Sequence, residues 1–199
     1  MRIFVILLGL LLACQVAMAG EDGFAGNEEE IFRGLTSGGM KTRGLTRGLN
    51  LGSSQKRGVK VVVDGPVGQE YKTVNLDEKE RLNHVNLKIE FDYDSSSIRP
   101  DSYRLLNELG NALKREGLSN KKVVINGHTD SDGSEAYNYE LSLARARSVR
   151  DYIARNCSVD NSRLSIAGYG EMLPVKPNNN SVNKQINRRV EIQVKISDN

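Results

Sequence analysis

An α+β domain is the fold this sequence predicts: one mixed sheet with helices packed mainly on one face, in the order β-α-β-α-β-β. Three observations predict it. Four short apolar-rich segments after Leu82 read as strands, and the first and last of them alternate apolar and polar residues, the period of a half-buried strand. Two longer segments between the first three repeat apolar residues at helical spacing. The last two strands follow each other with no helical pattern between them, so the helices gather toward one side of one sheet.

Each element has its own signature. "VNLKIEFDYD" alternates Val85, Leu87, Ile89 and Phe91 with polar residues and is the first strand. Pro100 suits the first turn of a helix. Tyr103, Leu105, Leu106, Leu109 and Leu113 then recur at helical spacing until Gly117 ends the helix. "KKVVING" is the second strand. A long helix from Ser134 to Asn156 follows, with Tyr137, Leu141, Ala144, Val149, Tyr152 and Ile153 expected to face inward. "SRLSIAGYG" is the third strand. Val190, Ile192, Val194 and Ile196 make the fourth, with Arg189, Glu191, Gln193 and Lys195 on its other face.

Ahead of this domain, which begins near Leu82 and runs to residue 199, the chain divides into three parts. Residues 1–19, "MRIFVILLGLLLACQVAMA", have a positive start, a short apolar run and an Ala-Met-Ala cleavage pattern. They read as a secretory signal peptide, with Gly20 the new terminus. "LLAC" offers a second reading, lipidation of Cys14. Residues 20–58 are polar and glycine-rich, with Arg-Gly-Leu at 33–35, 43–45 and 47–49. They read as a flexible tether, because scattered leucines bury too little area to offset the cost of ordering glycine. Within 59–81, the valines and the Asp-Gly-Pro signal of residues 59–68 suit a short hairpin or an added edge strand of uncertain role.

Bulk composition excludes several classes. A net charge of +3, aromatics at 6% and no Trp argue against nucleic acid, which needs a basic surface and stacking platforms. With Cys14 removed or acylated, Cys157 remains as the one thiol of the mature chain, so no internal disulfide forms. It reads as a small half-buried residue at a helix end. No spacing suggests a metal or other cofactor.

The chemistry concentrates in "INGHTDSDGSEAYNYELSLARARSVRDYI", residues 125–153. Asp130 ends a strand, and Asn138, Leu141, Ser142 and Arg145 share one stripe of the helix that follows. Arg145 lies roughly 15 Å along that helix, and its side chain points back and recovers part of the distance. About 9 Å then separates guanidinium from carboxylate, too far for a direct pair near 2.8 Å. A ligand with an ammonium and a carboxylate on one carbon spans such a gap: Asp130 for the first, Arg145 for the second. Spacing alone equally allows a turn-closing aspartate and a solvated helix arginine. Both residues are expected at the sheet edge, in reach of solvent.

"INGHTDSDGSEAYNYELSLARARSVRDYI", "SRLSIAGYGEMLPV" and "NRRVEIQV" together resemble the OmpA-like C-terminal domain family shared with Pal and MotB, over about residues 83–197. The resemblance implies non-covalent binding of peptidoglycan through the diaminopimelate of its stem peptide. It places Asp130 and Arg145 in contact with that zwitterion, with Asn138 and Arg188 or Arg189 in support and Asp92 or Asp94 near the same edge. The layout is closest to Pal, since the glycine-rich stretch before Leu82 is not patterned as barrel strands. It implies a periplasmic or outer-membrane location on the periplasmic face of a Gram-negative envelope. Two other classes stay open: a peptidoglycan hydrolase using Asp130, Glu135 or His128, and an envelope-assembly component docking a protein partner through its tether.

Overall fold

The computed structural model describes residues 23–37, 58–65, 68–75 and 82–194. The signal peptide, Cys14 and two of the Arg-Gly-Leu triplets lie outside the described residues, as do Lys195 and Ile196.

The first described element is a helix, α1 (Glu28–Thr36). Asn27 caps it by accepting from the Glu30 amide at 3.0 Å, and Glu30 reaches back to the Gly26 amide at 2.8 Å. Together they satisfy two donors that a helix start otherwise leaves orphaned. Next come β1 (Gly58–Gly65) and β2 (Gly68–Asn75), an antiparallel hairpin, and then β3 (Asn83–Leu87). A turn of 3-10 helix opened by Pro100 leads into α2 (Tyr103–Lys114). β4 (Val123–Gly127), α3 (Glu135–Asn156), β5 (Leu164–Gly168), the short α4 (Ser181–Asn187) and β6 (Val190–Val194) complete the order.

One six-stranded sheet results, in the order β2-β1-β5-β4-β6-β3. β4 and β5 run parallel, joined by α3, and the other neighbours are antiparallel. The α+β expectation holds, with Val85, Leu87, Val123, Ile125, Ile166, Val190 and Ile192 facing Leu106, Leu109, Leu113, Leu143, Ala146, Val149 and Ile153 in one core. The expected hairpin is present and adds to the sheet beside β5.

Three expectations need correction. The tether does not begin at residue 20, because Phe24, Ala25, Ile31 and Leu35 are buried against the domain. Ser37 ends the segment, and Arg115 clamps it through Glu29 at 2.7 Å and lies over the Phe32 ring at 3.6 Å. The first half of the long helix turns a different face inward: Tyr139, Leu143 and Ala146 are buried, whereas Tyr137 is exposed and Leu141 and Ala144 are only half-buried. Farther along, Val149 and Ile153 are buried and Tyr152 packs against the core as expected. The physical reason is that its first turns pack Asn138, Ser142 and Arg145 inward, so apolar spacing misplaces the face there. Finally, α4 stands between β5 and β6, where no apolar periodicity marks it.

The sheet face away from α2 and α3 is buried but polar. Asn126 donates to Gln193 at 3.0 Å, His128 pairs with Glu191 at 3.1 Å, and Arg189 donates to Asn86 at 3.1 Å. Each of these side chains thus has a polar partner, as burial favours.

The packing of α1 is testable. Ile31→Ala and Leu35→Ala should each lower unfolding free energy by about 2 kcal/mol, the cost of removing buried methyl groups from a site that relaxes in part. Urea denaturation followed by circular dichroism checks this, and unchanged midpoints would return residues 28–36 to the tether.

Candidate functional site

The site forms where β4 ends and α3 begins. His128 and Thr129 continue β4 by donating their amides to Arg189 and Gly170 carbonyls, at 3.1 and 2.9 Å. Asp130 therefore sits at a fixed point. Its Oδ1 accepts from the Asp132 amide at 3.0 Å, an Asx turn that bends the chain toward α3. Ser134 caps that helix, accepting from the Tyr137 amide at 3.2 Å.

Glycine sets how close α3 comes. A Cβ on Gly127 would lie 1.9 Å from the Ser142 carbonyl oxygen, and one on Gly168 would lie 2.6 Å from Ser142 Oγ. No side chain fits there. The helix consequently lies against the ends of β4 and β5 at Ser142, whose Oγ accepts from the Gly170 amide at 3.0 Å. Arg145 follows within one turn and is delivered toward Asp130 from the flank.

Asp130 and Arg145 are nearly buried, 6% and 7% exposed, rather than displayed on an edge. They do not pair with each other. Asp130 Oδ2 instead accepts from Arg188, a half-exposed side chain beyond α4. Arg145 donates its Nε to the Ser95 carbonyl at 3.1 Å and lies 5.0 Å from the centre of the Phe91 ring. Its two terminal nitrogens have no hydrogen-bond partner among the described residues. Burial pulls the Arg145 pKa below its ordinary value, and the nearby Arg188 charge pulls it further. Tyr137, Asp130 and Asp94 pull the other way.

The turn after β3 completes the rim. Asp94 takes a left-handed backbone, φ 51°, and accepts a hydrogen bond from the Tyr137 hydroxyl, which raises the phenol's pKa. Asp92 lies exposed in the same turn, its amide bonded to the Ser97 carbonyl at 3.0 Å. Asp130, Arg145, Arg188 and Asp94 thus converge, two anions and two cations, with Asp130 paired to Arg188 and Arg145 paired to neither carboxylate.

Two expected site residues stand elsewhere. Arg189 is buried among Asn86, the Asn187 carbonyl and the Leu173 carbonyl. Loss of water pulls its pKa down to about 10, with Glu191 opposing. Of the neighbouring arginines, only Arg188 faces Asp130. Asn138 is 1% exposed and donates to Glu171 at 2.7 Å, fastening α3 to the turn after β5. Sequence reading missed Phe91, the Ser95 carbonyl and Tyr137 as parts of the site, because nothing in local spacing joins residues 91–95 to residue 145. Cys157 is buried at the C-cap of α3, and burial raises its pKa.

Comparison with known proteins follows the same residues. The sequence profile of the OmpA family matches residues 90–188, the span that holds Phe91, Asp130, Arg145 and Arg188. Outer membrane porin F of Pseudomonas aeruginosa is 38% identical over 110 residues, covering 55% of this chain and 31% of that protein. The peptidoglycan-associated lipoprotein of Pseudomonas putida is 36% identical over 103 residues, covering 52% of this chain and 60% of that protein. The chain therefore spans between about a third and three fifths of these curated relatives. Among solved structures, a MotB-like protein from Desulfovibrio vulgaris superposes with a TM-score of 0.51 at 25% identity, over 60% of this chain and 76% of that one. Profile, relatives and fold all converge on the domain built from β3 to β6, whose residues 90–188 match the OmpA family.

Proposed function

We propose that this domain binds peptidoglycan without catalysis, and that Asp130 and Arg145 hold the zwitterionic end of a diaminopimelate side chain. One observation carries the reading. Arg145 is a nearly buried guanidinium whose terminal fork has no hydrogen-bond partner among the described residues, and it stands beside a buried carboxylate that it does not pair with. A lone buried cation is costly unless a partner arrives. A planar fork suits a carboxylate gripped at two points. Asp130 keeps lone pairs for an ammonium that would share it with Arg188.

The Pseudomonas putida relative is a peptidoglycan-associated lipoprotein, which supports the polymer as ligand. The relatives also favour an exported chain acting in the cell envelope. The catalytic alternatives fit poorly. His128 is engaged by Glu191 in the sheet, Asp130 by Arg188, and Glu135 lies exposed on the first turn of α3. Incubating the protein with dye-labelled sacculi separates the classes: pull-down without dye release supports a binding module, and release supports a hydrolase.

Ligand charge tests the finer statement. Lysine in place of diaminopimelate, or amidation of its carboxylate, leaves the Arg145 fork without a partner. Either change should weaken binding about 10-fold or more, the cost of one lost charge-assisted hydrogen bond. Calorimetry with the three fragments checks this. Equal affinity would mean that the site reads glycan or peptide backbone instead.

A further inference from the structure

A second polar cleft adjoins Arg188. It encloses about 310 Å³ and is lined by Asp132, Asn178, Asn179, Asn180, Ser181, Lys184 and Arg188. Its chemistry is one-sided, because the asparagine side-chain oxygens are already spent. Asn178 Oδ1 accepts from Asn187 at 2.8 Å. Asn179 Oδ1 accepts from Asn183 at 2.8 Å and from Asn180 at 3.1 Å. Asn180 Oδ1 accepts from the Asn183 amide at 2.8 Å. Asp132 is taken by Lys184 at 2.5 Å.

Apart from the second oxygen of Asp132, what remains are donors. The Asn178 and Asn179 side-chain amino groups make no hydrogen bond among the described residues. The remaining N–H groups of Lys184 and Arg188 add to them. The two cations of the lining are each paired with one carboxylate, Lys184 with Asp132 and Arg188 with Asp130, and keep N–H groups to spare. The wall is also built to stay. Buried Asn187 accepts from the Val175 and Lys176 amides at 2.8 and 3.0 Å and donates to the Lys176 carbonyl at 2.7 Å, which pins the loop that carries the asparagines.

We infer that this cleft is an anion subsite that takes a second carboxylate of an acidic peptide, next to the zwitterion held by Asp130 and Arg145. The inference rests on the proposed function and extends it. Arg188 links the two sites. It pairs with Asp130 and also lines the cleft, and an ammonium sharing Asp130 loosens that pair and leaves more of the guanidinium to an anion in the cleft. Binding at one site then prepares the other. The ligand class becomes a peptide with a free carboxylate one residue from its zwitterion, in preference to a fully amidated one.

Calorimetry on the full chain tests it with three probes: free diaminopimelate, a γ-glutamyl-diaminopimelate dipeptide with its glutamate α-carboxylate free, and the same dipeptide with that carboxylate amidated. For the wild type, amidation should weaken binding about 10-fold, one charge-assisted contact. For Lys184→Gln and for Asn179→Ala, amidation should matter less than 3-fold, while both variants bind free diaminopimelate as the wild type does. An amidation penalty equal in wild type and variants, or absent in the wild type, overturns the subsite and leaves the zwitterion site standing. No binding of any probe by the wild type overturns both.

Discussion

Arg145→Ala should bind sacculi about 100-fold more weakly than the wild type, the loss of a bidentate, partly desolvated charge-assisted pair. Asp130→Ala should come close to it, softened because removing the carboxylate also releases Arg188. Arg145→Lys should resemble Arg145→Ala rather than the wild type. Lysine keeps the charge but has neither the planar fork nor the flat contact on Phe91, which sits 5.0 Å from the guanidinium. The fold should survive. The arginine's one fixed hydrogen bond goes to Ser95 in a surface turn, so its loss loosens residues 91–98 and costs about 1 kcal/mol. Pull-down titrations with matched circular dichroism spectra check all three. Wild-type affinity in the lysine variant would reduce Arg145 to a general positive field.

The second large effect falls on stability. Gly127→Ala places a methyl group 1.9 Å from the Ser142 carbonyl oxygen and 2.7 Å from its carbon, both backbone atoms of a helix that cannot rotate aside. Overpacking of this kind costs about 3 kcal/mol, which lowers Tm by roughly 10 °C in a domain of this size. Gly117→Ala is the control. A Cβ there meets nothing within 4 Å, and the penalty is confined to its φ of +91°. A Gly127→Ala variant that melts with the wild type would mean α3 does not lie on β4 as described. The same displacement should weaken sacculus binding, since the contact at Ser142 also sets where Arg145 stands.

Much of this was legible in the sequence, for identifiable reasons. The strands were readable because Val85 to Ile89 and Val190 to Val194 alternate against a one-sided apolar core. The absence of a direct Asp130–Arg145 pair was readable from helix rise and side-chain direction. The inward face of α3 was not. A helix whose buried stripe includes Asn138, Ser142 and Arg145 looks, to an apolar count, as if it were turned away from the core. Helix α1 was hidden for another reason. Its apolar residues are few and its neighbourhood is glycine-rich, so its order comes from docking on α2 and β3, which local propensity does not report. Arg188 and Arg189 are adjacent, between the end of α4 and the start of β6, and only the path of the chain there decides which enters the interior.

The N-terminal pieces also bear on how the protein avoids itself. A sheet ends in strands whose outward amides and carbonyls invite pairing with another chain. On one flank the Ala25 amide donates to the Asn86 carbonyl at 3.0 Å, and the Asn83 side chain donates to the Leu35 carbonyl at 3.0 Å, so the stretch around α1 covers β3. On the other flank the hairpin covers β5 and presents β2 as the outermost strand, where Lys72 and Glu70 form an exposed ion pair at 3.1 Å. A fragment beginning at Leu82 would keep the whole ligand site and lose both covers, leaving β5 and β3 open at once. Such a fragment carries the means of edge-to-edge polymerisation, against which residues 23–37 and strands β1 and β2 guard the longer chain.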